Sequence, residues 1–350
     1  MPFASHRRGI VTTLICALGL LSGLGFGAEI EPRAAHSAPP KPVREPHFLR
    51  TLNVSHFQKG NVHTHTTLSD GGSSPEQTIA WYRSHGYQFL ALTDHNILSK
   101  PAHYASLQEP GFALISGEEI TMSGKGRQVH VNALCTQNRI PGGSFGSAAA
   151  ALSNAISQVR MQGGVAIVNH PNFDWALSAA DVTDARDAAL LEIASGHPYV
   201  HSAGDATHPS HEALWDIALS SGADFMGVGV DDEHHIDVSS DPPATPGRAW
   251  IATFGDVTDP SPICAALSLG DLYASTGADL RRIAVYGHRY EVEAVQPRAA
   301  VVFIGEGGRE LARQRSPAVY TLLGDEGYVR ARVELPDGKR AWTPAVRVTN

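Results

Sequence analysis

Histidine and carboxylate side chains recur where apolar, strand-like segments of this sequence end. The groups at these ends are His63-Thr64-His65, Thr93-Asp94-His95, Gly117-Glu118-Glu119, Asn169-His170-Pro171 and Asp231-Asp232-Glu233-His234-His235. His130 lies on a further segment of this kind, and Asp70 follows the first segment in a Gly-rich turn. A single histidine at a strand end commonly does no more than cap a loop. Because the pattern returns at strand after strand, it predicts a shared metal site instead.

The spacing of His63 and His65 indicates how such a site is built. In an extended segment, residues two apart face the same side, so both imidazoles can reach one ion. Mixed imidazole and carboxylate ligands favour Zn, Mn or Fe over Ca or Mg. The three cysteines have no C-x-x-C spacing, which excludes a thiolate zinc site. We therefore expect nitrogen and oxygen ligands.

The middle of the chain alternates strand-like and helix-like segments, which must position these side chains. Strands are predicted at 60–64, 89–93, 113–120, 129–135, 165–169, 190–195, 225–230 and 249–254. Helices are predicted at 74–86, 147–162, 209–221 and 259–270, the first opening with the capping box Ser74-Pro75-Glu76-Gln77. This alternation implies parallel strands and an α/β fold, most simply a barrel. The C-terminal strand ends of a barrel form one rim, so the predicted ligands would meet at one mouth.

The two ends of the chain have a different composition from the middle. Residues 1–28 read as a signal peptide, with His6, Arg7 and Arg8 before an apolar run; a retained membrane anchor is the alternative. Residues 29–55 are Pro-rich and predict a tether. The folded barrel is expected over 56–280, and short alternating runs over 281–350 predict a small antiparallel β appendage. Cys135 and Cys264, which remain after signal cleavage, form either a bridge or two buried thiols.

Composition limits the partners of the protein. The 350 residues have 42% hydrophobic and 18% charged side chains, enough for a folded core. The formal charge of −8 disfavours a nucleic-acid partner, which a basic surface would normally attract. We expect a secreted or periplasmic protein that has no stable membrane insertion after signal cleavage. The sequence leaves the oligomeric state open.

The quoted motifs together resemble the PHP (polymerase and histidinol phosphatase) superfamily over about residues 58–350. Within it, the segment Gly229-Val230-Asp231-Asp232-Glu233-His234-His235 and the tail around 328–342 look like the CehA/McbA-type hydrolases. The resemblance implies a distorted (β/α)7 barrel that holds two or three divalent metals. The ligand sets it implies are His63, His65, Glu119 and Asp232 for the first metal, Glu119, His130 and His170 for the second, and Asp70, His95 and His234 for the third. Strand alternation favours Glu119, Asp232 and His234 over their neighbours Glu118, Asp231 and His235.

The chemistry that this resemblance implies is hydrolysis of a small-molecule ester by a metal-activated hydroxide. A phosphoesterase is the first expectation, a carbamate or carboxylic ester hydrolase is the alternative, and a catalytically silent metal-binding protein is the third possibility. The predicted catalytic residues are Glu119, Asp232 and His197, the last being the first of a second histidine group with His201, His208 and His211. Gly142-Gly143-Ser144-Phe145-Gly146 matches the G-x-S-x-G motif of serine hydrolases, but turn residues precede it where that motif needs a strand. We therefore predict that Ser144 lies in a loop.

Overall fold

The described strands form three sheets, and the predicted ligands lie on or after strands of two of them. The computed structural model describes residues 47–48, 52–237, 244–255 and 259–349. The predicted signal peptide and residues 29–46 of the predicted tether lie outside these residues. The strands up to the middle of the chain are β1 (His47–Phe48), β2 (Leu52–Val54), β3 (Phe57–Asn61), β4 (Phe89–Ala91), β5 (Ala113–Ile115), β6 (Gly117–Gly124), β7 (Arg127–Leu134), β8 (Ser144–Phe145), β9 (Val165–Val168), β10 (Leu190–Ser195) and β11 (Met226–Val230). The later strands are β12 (Trp250–Phe254), β13 (Leu272–Ser275), β14 (Leu280–Tyr286), β15 (Arg289–Ala294), β16 (Ala300–Gly305), β17 (Arg309–Arg315), β18 (Ala318–Thr321), β19 (Tyr328–Glu334), β20 (Arg340–Trp342) and β21 (Val346–Thr349).

The strand order divides the predicted barrel between two sheets. The first sheet runs β1-β21-β19-β20-β13-β12-β3-β4-β5, with β16 and β17 attached, and the second runs β11-β10-β9-β7-β6-β8. Isolated backbone bridges from Thr64 to Glu233 and from His95 to Glu119 connect the two sheets beside the predicted ligands. Among the described residues no sheet closes on itself, so the fold is mixed α/β and the seven-stranded barrel stays a prediction.

The expectation of parallel strands throughout is wrong. β3, β4 and β5 are parallel, as are β9, β10 and β11. In contrast, β6 and β7 form an antiparallel hairpin, and β12 is antiparallel to β3. The predicted strand 113–120 is in fact two strands separated at Ser116. Only a short turn connects β6 to β7, which leaves no room for the crossover that a parallel pair requires.

Five α-helices are present in the described residues, and four of them match the predictions within a few residues. They are α1 (Pro75–Ser84), α2 (Ala148–Met161), α3 (Ala179–Asp184), α4 (His211–Ser220) and α5 (Pro260–Leu269). The capping box at Ser74 is confirmed, because its side chain accepts from the Gln77 N–H and the Gln77 side chain accepts from the Ser74 N–H. α5 ends at Gly270, whose φ of 66° is the left-handed conformation that glycine tolerates best. No described helix is long and apolar enough to cross a membrane.

Strands of the predicted tether and of the predicted β appendage pair with each other and with the first sheet. Residues 47–48 and 52–54 fall in the predicted tether and pair with β21 and β14 respectively. The strands after residue 280 are antiparallel, as predicted: β14, β15 and β18 form the third sheet with β2, whereas the others join the first sheet, where β20 pairs with β13. β13 has a free edge after it pairs with β12, and the appendage satisfies that edge. A disulfide joins Cys135, after β7, to Cys264 in α5.

Candidate metal centre

The nine predicted ligands lie together, and all of them except the buried His63 line one cavity. His63 and His65 follow β3, His95 follows β4, and Asp232 and His234 follow β11. Glu119 lies on β6, His130 lies on β7, His170 follows β9, and Asp70 lies in the turn before α1. His63, His65 and Glu119 are almost fully buried, whereas the Asp70 side chain is 53% exposed.

The ligands and their acidic neighbours face opposite ways. On β6, strand alternation turns Glu119 to the cavity, while Glu118 faces away and accepts a hydrogen bond from the Ile140 N–H. Asp232, which follows β11 and has a left-handed φ of 49°, also faces the cavity, and Asp231 is turned into the interior. Asp231 accepts hydrogen bonds from Asn61, Tyr82 and the backbone N–H groups of Gly247, Arg248 and Ala249. The structure thus places in the cluster the member of each pair that alternation favoured.

Four donor atoms form the most compact group. His63 Nε2 lies 3.3 Å from Glu119 Oε2, 3.2 Å from Asp232 Oδ1 and 3.2 Å from His65 Nε2. His65 Nε2 lies 3.2 Å from Glu119 Oε2 and 3.3 Å from Asp232 Oδ1. Four ligands placed tetrahedrally at zinc bond lengths of 2.0–2.1 Å are about 3.3–3.4 Å apart. Five edges of this group therefore have nearly the length that a tetrahedral metal site needs.

The other carboxylate oxygen of Glu119 belongs to a second group. Glu119 Oε1 lies 3.1 Å from His130 Nδ1 and 3.2 Å from His170 Nε2, and these two nitrogens are 3.4 Å apart. The three atoms form one triangular face of the same size as a face of the first group. Glu119 thus presents one oxygen to each group, which is the arrangement of a bridging ligand.

The third group is more open. Asp70 Oδ2 lies 3.5 Å from both His95 Nε2 and His234 Nε2. The loop that carries Asp70 packs against the first group through Gly71, where a Cβ atom would lie 2.6 Å from the His65 carbonyl carbon. Only glycine fits so close to this backbone. Because Asp70 is exposed and its contacts are longer, this group would hold an ion less tightly than the other two.

Sequence reasoning missed Glu192, which supports two of the groups from behind. Glu192 lies on β10 and is fully buried. Its Oε1 accepts a hydrogen bond of 2.6 Å from His63 Nδ1, and its Oε2 accepts one of 2.8 Å from the His170 backbone N–H. With the proton on Nδ1, the lone pair of His63 Nε2 faces the first group. A lone glutamate within an apolar strand was the available signal, because buried acids require partners.

The imidazoles and carboxylates of the donor groups stabilise each other's charged forms. Burial acts to raise the pKa of Glu119, but the neighbouring His130, His63 and His95 outweigh it and hold that pKa well below its usual range. Burial acts to lower the pKa of His63, but Asp232 and Glu119 outweigh it and hold that pKa well above its usual range. Protonated imidazoles therefore balance the carboxylates. Divalent cations would release these protons and balance the same charge, so the donor set fits Zn, Mn or Fe.

The cavity next to the donors has a volume of about 290 Å³. Besides ligands, it is lined by Gln128, Phe173, His197 and Val200. Burial lowers the pKa of His197 to about 4. Its Nδ1 accepts a hydrogen bond from the Tyr199 N–H, so the proton of the neutral ring lies on Nε2. No Lys or Arg is among these lining residues in the part of the chain that the structure describes.

The remaining histidines of the second predicted group do not line the cavity. His201 and His208 stack on the two sides of Trp175, with ring centroids 4.6 and 3.9 Å away. His211 is buried, and its Nε2 accepts a hydrogen bond from the Asn172 N–H. Ser144 lies on the short strand β8 rather than in a loop, as a two-residue parallel pairing with β6 holds it there. It is exposed and does not line the cavity, so it forms no serine nucleophile site there.

Comparison with known proteins finds sequence similarity over a limited segment. No family model matches the chain. A 5'-3' exoribonuclease of Haemophilus influenzae is 36% identical over 76 residues, which are 21% of this chain and 27% of that protein. The chain thus matches about a quarter of the length of this curated relative.

Three solved structures are similar to this chain at low identity. The first is a two-domain protein of Bacteroides vulgatus, described as containing a predicted PHP-like metal-dependent phosphoesterase. It is 15% identical to this chain with a TM-score of 0.46, and the match covers 88% of this chain and 99% of that chain. The second is a proposed metal-dependent phosphoesterase of Bifidobacterium adolescentis, with 17% identity, a TM-score of 0.39, and 51% and 88% covered. The third is an amidohydrolase of Chromobacterium violaceum with bound sulfate and no metal, with 16% identity, a TM-score of 0.38, and 50% and 87% covered. Two of these descriptions name the phosphoesterase activity, and one the PHP-like character, that the motif resemblance implies.

Proposed function

We propose that the protein is an exported, metal-dependent hydrolase of PHP type that cleaves phosphate esters. The observation that carries the proposal is the shared use of Glu119 by two donor groups, each with the spacing of a metal site. Two adjacent cations are a common arrangement for displacement at phosphorus. The H. influenzae relative is named a 5'-3' exoribonuclease, and because a ribonuclease cleaves phosphorus–oxygen bonds, this similarity supports phosphate ester cleavage over other hydrolyses.

His63, His65, Glu119 and Asp232 would hold one divalent cation, and Glu119, His130 and His170 would hold a second. When bound, such cations supply a Lewis acid and lower the pKa of water toward neutrality. Glu192 keeps His63 and His170 in place, so the donors need little rearrangement. His197, with its proton on Nε2, can donate a hydrogen bond to an ester oxygen in the cavity. Phe173 and Val200 exclude water from one side.

Export is part of the proposal and rests on two features. Residues 1–28 have the composition of a signal peptide. The Cys135–Cys264 disulfide suits an oxidising compartment such as the periplasm or the exterior. Expression of the full chain in a bacterium, followed by fractionation and mass determination, would check this. Uncleaved protein that keeps residues 1–28 and is found in the cytosolic fraction would contradict it.

Cleavage of carbamate or carboxylic esters, which the resemblance to CehA/McbA-type enzymes implies, is the second candidate. The observation that favours it is the lack of Lys and Arg among the cavity-lining residues of the described chain, since neutral esters need no such cation. The third possibility, a silent metal-binding protein, is less favoured because all nine ligands are in place.

One measurement separates these candidates. Mature protein is loaded with Mn, Fe or Zn, its metal content is determined, and it is assayed with p-nitrophenyl phosphate, bis-p-nitrophenyl phosphate, p-nitrophenyl acetate and an aryl carbamate. We expect at least two equivalents of metal and turnover of a phosphate ester. Turnover of the acetate or carbamate alone would favour the second candidate. Less than one equivalent of metal, with no turnover after loading, would contradict metal-dependent hydrolysis altogether.

A further inference from the structure

The wall of the cavity that faces the second donor group is apolar and centres on Phe173. The Phe173 ring lies 5.8 Å from the His130 ring and 5.3 Å from the His170 ring, between centroids. Val200, which is 1% exposed, lines the cavity beside it. A molecule bound in the cavity at His130 and His170 would therefore have these two side chains beside it. We call Phe173 and Val200 the apolar wall.

The apolar wall is held in place by contacts between its two loops. Asn172, almost fully buried, donates hydrogen bonds from Nδ2 to the carbonyl oxygens of His201 (3.1 Å) and Pro209 (2.9 Å). The segment before Phe173 and the segment after Val200 are thus tied together. Trp175, which stacks with both His201 and His208, adds a second connection.

The backbone next to the apolar wall is strained, which indicates that the sequence specifies the conformation of these two loops. Asp174, Trp175 and His201 have φ angles of 50°, 49° and 51°. Residues other than glycine adopt this left-handed conformation at a cost, and they do so mainly where function requires it. Arg127 compensates part of this cost, because its guanidinium donates to the carbonyl oxygens of Asp174 and Trp175. Arg127 is thereby committed to the backbone of the wall.

The chemistry of the wall limits what can occupy the cavity. A phosphate monoester has three terminal oxygens that share two negative charges. With some of these oxygens on the donor cluster, any oxygen that faces the wall would meet Phe173 and Val200 instead of a cation or a hydrogen-bond donor. An unpaired buried charge is costly. A phosphodiester has a single negative charge and a second substituent, which can lie against the wall.

We propose that Phe173 and Val200 form a subsite for an apolar, aryl-sized substituent, so that the substrate class is aryl-substituted phosphodiesters rather than phosphate monoesters. The inference rests on the proposed phosphoesterase function and deepens it. The volume of about 290 Å³ suits one ring beside the scissile phosphate, and lies at the small end of ligand pockets.

The test compares two diesters that share charge and leaving group. Metal-loaded protein is assayed with phenyl p-nitrophenyl phosphate and methyl p-nitrophenyl phosphate, and the ratio of their kcat/KM values is measured. We expect the native ratio to exceed ten. In Phe173→Ala this ratio should fall about tenfold or more, since hydrophobic pockets discriminate by about 10- to 200-fold. Phe173→Leu should restore part of it. The ratio is independent of any common loss caused by the contacts of Phe173 with His130 and His170.

A binding measurement makes the outcome independent of turnover. Titration of the metal-loaded protein with diphenyl phosphate and dimethyl phosphate, followed by calorimetry, should show a preference for the diphenyl compound that Phe173→Ala removes. Phe254→Ala, a matched substitution at a residue that does not line the cavity, should leave both ratios unchanged.

Each outcome decides between the two proposals. Equal turnover of the two diesters, or a phenyl preference that survives Phe173→Ala, would overturn the subsite and leave the phosphoesterase function standing. Binding of diphenyl phosphate that depends on Phe173, without hydrolysis of any phosphate ester, would keep the subsite and overturn the function. Neither binding preference nor hydrolysis would overturn both.

Discussion

Two buried clusters of charged side chains in this molecule differ in how their charges are balanced. The first is the metal centre described above. The second, which we call the α4–β19 network, consists of Glu212, Asp216, Tyr328, Arg330 and Arg332. Arg330 is fully buried, and its Nε and Nη2 lie 2.8 and 2.6 Å from the two Asp216 carboxylate oxygens. Its Nη2 also lies 2.9 Å from Glu212.

The difference lies in where the positive charge comes from. In the α4–β19 network each carboxylate already has a guanidinium, and Tyr328 OH donates a further hydrogen bond of 2.7 Å to Asp216. In the metal centre the carboxylates converge with imidazoles, and no Lys or Arg lines the adjoining cavity in the described chain. Burial and charge alone therefore do not distinguish a binding site from a structural network. The distinguishing property is a set of converging donors whose compensating charge can be replaced from outside.

The largest effect on the metal centre is expected from removing the carboxylate that two donor groups share. We expect Glu119→Gln to lose both metals of the bridged pair and to lower kcat/KM at least about a thousandfold, because the loss removes several kcal/mol of charge stabilisation. Metal content by plasma emission spectrometry and phosphodiester hydrolysis would measure the two effects. Glu118→Gln is the matched control, since the adjacent side chain faces away and a glutamine oxygen can still accept from Ile140. Metal retention and activity in Glu119→Gln would locate the site elsewhere.

The second prediction concerns the network whose charge is already balanced. Arg330→Met should lower the free energy of unfolding by about 3–5 kcal/mol, because it leaves Asp216 and part of Glu212 as buried charges without their partner. Metal affinity should change less than about twofold, as Arg330 contacts none of the nine ligands. Chemical denaturation and metal titration would measure the two quantities.

Arg332→Met is the control for Arg330→Met. Arg332 pairs with the same Glu212 but is more exposed, so its loss should cost no more than about 1 kcal/mol. If Arg330→Met weakened metal binding in step with stability, the two clusters would not be independent, and the contrast between them would fail.

The positions of the ligands could be predicted because they depend on local rules. Strand alternation decides that Glu119 faces one side of β6 while Glu118 faces the other, and no knowledge of distant partners is needed. The same choice at Asp232 agrees with the structure although this residue follows β11 with a left-handed φ of 49°. The capping box at Ser74 is local in the same sense. These predictions use only the neighbours of a residue in sequence, which the sequence displays directly.

The pairing of strands could not be predicted in the same way. The sequence of β7 indicates which of its residues share a face but not the direction of the neighbouring strands, so it does not reveal its antiparallel partners β6 and β9. Leu52–Val54 pairs with β14 some 230 positions later, and the Pro-rich composition around it indicated a tether. Phe173 and Val200 are ordinary apolar residues until the two loops come together.

The last comparison is between one buried carboxylate beside the metal centre, Glu192, and one in the α4–β19 network, Asp216. Glu192 resembles Asp216 in being buried and doubly engaged, but its partners are donors of the metal centre, His63 Nδ1 and the His170 N–H. A glutamine at this position has one oxygen and one NH₂ group. If the oxygen stays with the His170 N–H, the NH₂ group faces His63 Nδ1, which must then accept, and the His63 proton moves to Nε2. A proton on Nε2 blocks the atom that faces Glu119 and Asp232.

We therefore expect Glu192→Gln to lower metal affinity about 10- to 100-fold, the range found for partners that orient metal ligands. The effect is smaller than that of Glu119→Gln because all nine ligands remain. Nitrogen NMR of the histidine rings supplies a readout that a general loss of packing would not give: in the metal-free variant, at a pH above the raised pKa of His63, the single proton of the neutral ring should be found on Nε2 instead of Nδ1. Glu192→Asp, which keeps the charge, should leave the proton on Nδ1 even if the shorter side chain weakens binding. If Glu192→Gln left both the tautomer of His63 and the metal affinity unchanged, Glu192 would be a structural acid like Asp216. The distinction between the two clusters would then rest on the nine ligands alone.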